Sequence, residues 1–337
     1  MSNISAKSPI GMAGLHVRMP RIPAAFFGIV LGLAGLTNSW RAAAPIWNLP
    51  PQIGEAIGIV AGVVWLLLIL LYAGKWLIDA KAVAAEAQHP VQCCFIGLIG
   101  VSTMLTAIVL QPHSHAGAVV LFAAGAVFTL VFALWRTGIL WRGDRDPTAT
   151  TAVLYLPAVA GSFVMAIALS AFNSPDWGQL AFGAGFFSWL AIESVLLNRL
   201  YNAQTLSEPL RPTLGIQLAP PAVGCVAYLS VTTGTPDILA HAMLGYAILQ
   251  LLLMLRLLPW IRQQPFAASY WAFTFGVTAL STAASKMVTR SDPSGALHLL
   301  APILFVAANV VVGLIAIGTV LLLVRGKLLP KPTPATP

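Results

Sequence analysis

Apolar residues in this chain do not alternate with polar ones. They run in blocks of about 20, long enough at 1.5 Å per helical residue to cross roughly 30 Å of hydrocarbon. Ten blocks can be drawn, at 22–40, 52–74, 91–110, 116–135, 151–172, 178–198, 213–232, 238–257, 267–288 and 297–324. The breaks between them hold Pro, Gly, Asp or charge, as in "RAAAPIWNLPP", "QPHSH", "WRGDRDPTAT", "NSPDW" and "RSDPSG". The pattern predicts an all-α polytopic membrane protein with ten transmembrane helices over 22–324, an N-terminal tail 1–21 and a C-terminal tail 325–337. Residues 1–21 hold no apolar run of signal-peptide length, so no cleavage is expected there.

Composition agrees: the chain is 58% hydrophobic and 8% charged, with a mean hydropathy of +0.85, whereas soluble domains carry about 25% charged residues. Once the blocks are subtracted, no length remains for a soluble catalytic domain. The net charge of +8 sorts by side of the membrane. With the N-terminus cytoplasmic, all of the 18 Lys and Arg except Arg41, Lys286 and Arg290 fall on the inner side. Both termini are therefore expected in the cytoplasm. Cys93, Cys94 and Cys225 lie inside spans without metal-ligand spacing and read as packing thiols.

Short outer links pair the spans into five hairpins, 1–2, 3–4, 5–6, 7–8 and 9–10. Odd spans open with Pro or aromatic residues, and even spans are greasier, as in "VVWLLLILLYAG". Pro23, Pro90 and Pro157 recur every 67 residues, with Phe27, Phe95 and Phe163 four to six residues later; Pro220 and Pro221 lie deeper in the seventh span. A proline inside a helix frees a carbonyl and kinks it. In a membrane such defects persist where they are buried in protein or line a water-filled cavity. The economical reading is a pseudo-five-fold repeat of hairpins, with kinked odd helices as an inner pore ring and even helices around it. The three phenylalanines then become candidate pore-lining residues.

The ninth span carries "SYWAFTFGVTALSTAASK", residues 269–286. Phe275 lies about 12 Å along this helix, near the bilayer midplane. Phe275, Thr278, Thr282 and Lys286 share one stripe; Thr274, Thr278, Ser281 and Ser285 form an adjoining one. Facing a conduit, the hydroxyls would offer donors to a passing anion while the ring blocks it by bulk and dewetting. Facing neighbouring helices, they would bond to the preceding turn and the rings would simply pack. Glu193 is an acid inside the sixth span, readable as a proton-coupling site or as a structural group paired with a base such as Arg199 or Arg256. Lys286 could snorkel outward or touch anions at the outer mouth. His113 and His115 read as solvated loop residues. No nucleotide loop, metalloprotease helix or nucleophile elbow appears, so neither an enzyme, nor a cofactor or metal, nor nucleic-acid binding is expected.

The ordered segments "IPAAFFGIVLGLAGL" (22–36), "YLPAVAGSF" (155–163), "FGAGFFSWLAIESVLL" (182–197), "LGIQLAPPAVGCVAYLS" (214–230), "LRLLPWI" (255–261) and "YWAFTFGVTAL" (270–280) resemble a known family. It comprises bacterial TehA tellurite-resistance proteins, plant guard-cell slow anion channels, and fungal malate and sulfite transporters. The resemblance spans about residues 20–326. It implies ten helices in five hairpins, odd helices around a central pore, a homotrimer with one pore per protomer, and a gate at the position of Phe275. It also implies a bacterial inner-membrane protein whose partners are lipid and small anions such as chloride, nitrate, malate-type acids or oxyanions. Three readings remain: a passive anion channel or uniporter, a proton-coupled carrier of a C4-dicarboxylate or of an oxyanion of the tellurite or sulfite type, and a scaffold with a vestigial pore.

Overall fold

The computed structural model describes residues 22–143, 145–291 and 295–329. The tail expected at 1–21, and residues 330–337 of the tail expected at 325–337, lie outside the described residues. The described chain is helical, without strands: α1 Phe27–Trp47, α2 Pro51–Ile78, α3 Ala80–Gln88, α4 Gln92–Phe95, α5 Leu98–Leu110, α6 His115–Leu140, α7 Gly161–Ala171, α8 Pro175–Asn202, α9 Ala219–Val231, α10 Ile238–Ile261, α11 Thr274–Val288 and α12 Ala296–Val324. Among the described residues eight helical stretches, rather than the expected ten, are long and apolar enough to cross a membrane. The two expected spans outside that set contain α1 and α11. Both are diluted by polar residues: Thr37, Asn38, Ser39 and Arg41 in one, five hydroxyls and Lys286 in the other.

Burial divides the eight. In the stretches Gln92–Leu110, Ala152–Ala171 and Glu208–Val231, 72%, 61% and 83% of the most apolar window is buried, against 22% or 33% in the others. α11 is buried along nearly all of its length. α1 touches α5 and α11, α5 touches α7, α7 touches α9, and α9 touches α11, so these helices close a ring. Each remaining long helix lies across two members: α2 on α1 and α5, α6 on α5 and α7, α8 on α7 and α9, α10 on α9 and α11, α12 on α11 and α1. The outer helices turn Leu, Ile and Val outward, as a lipid-facing surface requires.

The ring helices begin irregularly, and proline explains only part of this. A 3₁₀ turn Ala24–Phe26 precedes α1, a π-helical turn Leu156–Ala160 precedes α7, and 3₁₀ segments Glu208–Leu218 and Ala268–Phe273 precede α9 and α11. Pro157 lies within the π turn and Pro220 in the first turn of α9, where a missing N–H costs nothing. Pro23 and Pro90 were expected to kink helices, but they sit ahead of them, Pro23 with extended backbone and Pro90 in the turn between α3 and α4. Prolines inside the long α-helices are instead Pro45, Pro259 and Pro302, and Pro212 lies inside the 3₁₀ segment before α9. The segments before α9 and α11 also lie close: a Cβ on Gly215 would come within 2.8 Å of the Phe273 backbone nitrogen. Irregular backbone here is buried against protein or faces a cavity, the setting in which it survives in a membrane.

Candidate functional site

Two cavities lie inside the ring. The larger, about 790 Å³, is walled by the irregular helix starts, including Pro23, Phe95, Phe163, Pro220, Trp271 and Phe275. The smaller, about 510 Å³, lies toward the other ends of the ring helices and includes Asn38, Arg41, Ser230, Thr282, Lys286 and Arg290. Two residues line both, Val223 and Phe275. The Phe275 ring, only 9% exposed, is therefore a partition between two voids. Gly35 makes room beside it, since a Cβ there would meet Phe275 Cδ2 at 3.3 Å.

The smaller cavity is basic. Arg41 is held in place, its Nε and Nη2 each 2.8 Å from the Glu55 carboxylate and Nη2 2.9 Å from the Val109 carbonyl. Glu55 also meets His113 Nε2 at 2.8 Å, so His113 is no bystander of the loop. Lys286 donates to Ser230 Oγ at 2.9 Å and Arg290 to the Thr232 carbonyl at 3.1 Å. Among the described residues neither meets a carboxylate. Arg41 is largely neutralised by Glu55, which leaves Lys286 and Arg290 as the cavity's cations without an acid partner among the described residues.

The hydroxyl row divides differently from the conduit-wall expectation. Thr282 lines the smaller cavity, yet its hydroxyl is already spent on the Thr278 carbonyl at 2.9 Å. Thr274 and Thr278 line neither cavity; they bond to the Trp271 and Thr274 carbonyls at 2.8 and 2.9 Å. Both press against α1, where a Cβ on Gly32 or Gly35 would come within 2.3 Å of their Oγ1 atoms. Ser281 pairs with Ser39 at 2.7 Å, and Ser285 is buried with an unpartnered hydroxyl. The row is chiefly the seam between α1 and α11. Phe27 is likewise not a cavity residue: it is fully buried, edge-on to Tyr72. Phe95 and Phe163 do line the larger cavity.

The sequence profile described as "Voltage-dependent anion channel" (SLAC1) matches residues 21–320, nearly all of the ring and its outer layer. The chain belongs to the SLAC1 family. It is 36% identical over 307 residues to the tellurite resistance protein TehA homolog of Haemophilus influenzae, covering 91% of this chain and 92% of that protein. It is 22% identical over 280 residues to the S-type anion channel SLAH3 of Arabidopsis thaliana, covering 80% of this chain and 43% of that protein. An uncharacterized transporter of Methanocaldococcus jannaschii is 25% identical over 240 residues, 64% of this chain and 70% of its own length. The SLAC1 family consists of anion channels and transporters rather than enzymes, and this member is a multi-pass membrane protein.

Two buried acids flank the larger cavity of this SLAC1-family chain. Glu193 of α8 has no arginine partner of the kind expected. Its carboxylate accepts from Tyr155 and Tyr246 hydroxyls at 2.5 and 2.6 Å, Trp189 Nε1 at 2.8 Å and Gln217 Nε2 at 2.9 Å. It thereby ties the starts of two ring helices to α8 and α10. The second acid, Glu86, lies on α3, a helix the hydropathy pattern hides in a loop. Its carboxylate meets Lys75 Nζ at 2.6 Å and the Ala24 N–H at 2.7 Å, and Lys75 also donates to the Ile22 carbonyl at 3.1 Å. Lys75, read from sequence as loop charge, is buried and lines the larger cavity with Glu86. A clue was present: Lys75 and Glu86 bracket "KWLIDAKAVAAE", a short amphipathic stretch able to fold back on α2.

Proposed function

We propose that the chain is a passive anion channel or uniporter, conducting small anions through a central conduit that Phe275 occludes. The observation that carries this reading is the position of Phe275 as partition between two cavities, one of them bearing uncompensated cations. In this reading all ten apolar blocks cross the membrane, 22–324 forms one channel unit of five hairpins with pseudo-five-fold arrangement, and the helices of the closed ring surround the conduit. The polar dilution of α1 and α11 fits burial in that ring rather than a lipid-facing place. The protein resides in a bacterial inner membrane with both termini cytoplasmic, as a homotrimer with one pore per protomer. Cations held without fixed acids draw anions in, and few fixed charges let them leave.

The test is chloride and nitrate flux into liposomes at symmetric pH, wild type against Phe275→Ala. A rise of about tenfold or more is expected, the factor that roughly 1.4 kcal/mol of barrier sets. An unchanged rate for every anion sinks the gate. One observation favours the proton-coupled reading. Tyr155 lines the larger cavity and bonds Glu193, an acid without a cation partner among the described residues. That reading requires flux of a dicarboxylate or oxyanion to follow a pH gradient and to lose that dependence in Glu193→Gln.

A further inference from the structure

Where α6 leaves the bilayer, Arg136 is buried and Arg145 half-buried, neither with a counter-ion among the described residues. Arg136, 8% exposed, has an Nε with no hydrogen-bond partner, and Arg145 has neither Nε nor Nη1 partnered. Arg145 satisfies one donor only, Nη2 to the Ala149 carbonyl at 2.6 Å. Both act electrostatically on the buried Cys93–Cys94 pair of α4, and Arg136 faces the Cys94 thiol, so the two guanidiniums share one neighbourhood. Among the described residues no carboxylate reaches either: Asp146, beside Arg145, caps the Thr148 N–H at 2.8 Å, and Glu86 is engaged with Lys75. Burying an unpaired charge is expensive enough that proteins normally supply a partner. Among the described residues no acidic partner is in reach, and two forks of N–H donors are preset for an anion with several oxygens.

Beside them runs an apolar groove of about 850 Å³ on the outer surface, walled by α2, α3, α5 and α6. Phe132 and Trp135 of α6 line it, and Arg136 follows directly at its cytoplasmic end, one turn beyond Phe132. Ile96, two residues from Cys94, lines it from the opposite side. Trp76 and Trp135 stand exposed on its rim and mark the headgroup level. Lys81 and Arg142 are exposed nearby in sequence and add positive charge on the same side. We propose that this is an anionic phospholipid site, with the phosphate between Arg136 and Arg145 and an acyl chain in the groove. Basic pockets between helices on the cytoplasmic side recognise such headgroups, and the groove distinguishes a lipid from a free phosphate.

The test is native mass spectrometry of the full chain with phosphatidylglycerol, phosphatidylcholine or inorganic phosphate. One phosphatidylglycerol per chain should be retained about tenfold more tightly than phosphatidylcholine. Arg136→Gln and Arg145→Gln should abolish that preference, and Trp135→Ala should weaken both lipids alike. Arg145 is half-buried and Trp135 exposed, so their variants keep the test valid where Arg136→Gln fails to fold. Equal retention of the two lipids, or a preference that survives both arginine changes, overturns the proposal. Displacement of the lipid by millimolar phosphate would replace it with a free-anion site, and an oligomer that excludes lipid from the groove would assign that face to a second copy.

Discussion

The two cavities on either side of Phe275 are built on opposite principles. The larger is walled by irregular backbone and apolar side chains, and its buried charges cancel, Lys75 and Glu86 being bonded to each other and to the backbone of the α1 start, while its remaining lysine, Lys327, is exposed. The smaller is walled by regular helix, and two of its cations go uncancelled. One chamber is held in shape by its ions; the other presents them. The same residue types therefore do mechanical work on one side and electrostatic work on the other. Which role a lysine plays depends on whether an acid sits within 3 Å.

The hardest blow to this contrast falls on the larger chamber. Glu86→Gln leaves Lys75 buried without its counter-ion, at a cost of about 3–5 kcal/mol. It should lower the melting temperature strongly, while Lys75→Met with Glu86→Leu recovers most of the loss. Equal stability of Glu86→Gln and wild type would mean the pair does not shape the chamber. Next comes the partition itself: if the proposed gate holds, Phe275→Ala should join the chambers and raise anion flux. In the smaller chamber, Lys286→Met should cut anion flux at low salt by about two- to threefold, what one charge is worth across roughly 8 Å of water. The deficit should shrink as salt rises; a deficit independent of salt would assign Lys286 to packing.

The smallest effect lies outside the chambers. Asp237 caps α10 by accepting from the Leu239 and Ala240 N–H groups, both at 3.1 Å. The Tyr228 hydroxyl, chiefly, and then these N–H groups hold its carboxyl below the usual range. A depressed carboxyl stabilises above its ordinary value and loses that contribution as pH falls through the lowered one. Thermal unfolding of wild type and Asp237→Asn should therefore differ by no more than about 1 kcal/mol at neutral pH and converge under strong acid. A difference that grows on acidification has the wrong sign for this cap.

Much of this architecture was legible because hydropathy responds to length and lipid exposure. Most apolar blocks match helices to within about five residues, the exception being the first, which stops at 40 where α1 continues to Trp47 past the polar Arg41. What could not be read was which helices pair. The hydroxyls of Thr274 and Thr278 look like a conduit lining until Gly32 and Gly35 are known to face them, since a glycine on a distant span says nothing of whom it admits. Glu86 was hidden because α3 is short and polar enough to pass for a loop. Glu193 was noticed, but its partners, two tyrosines, a tryptophan and a glutamine drawn from four segments, have no signature in sequence. Charge invites a search for the opposite charge, and neutral donors escape it.

The seam between α1 and α11 has a consequence for how such a gate responds to the membrane potential. With Gly32 and Gly35 packed onto threonines and Ser39 bonded to Ser281, neither helix is free to slide past the other. In the proposed reading the ring at 275 is then the part left to swing. A phenyl group carries no charge, and the field does about 2.3 kcal/mol of work per 100 mV only on charge that moves through it. Rotating the ring contributes no gating charge. Open probability set by Phe275 alone should stay level between negative and positive potentials, and any steep voltage dependence in recordings would have to originate in the cations at the cavity mouths.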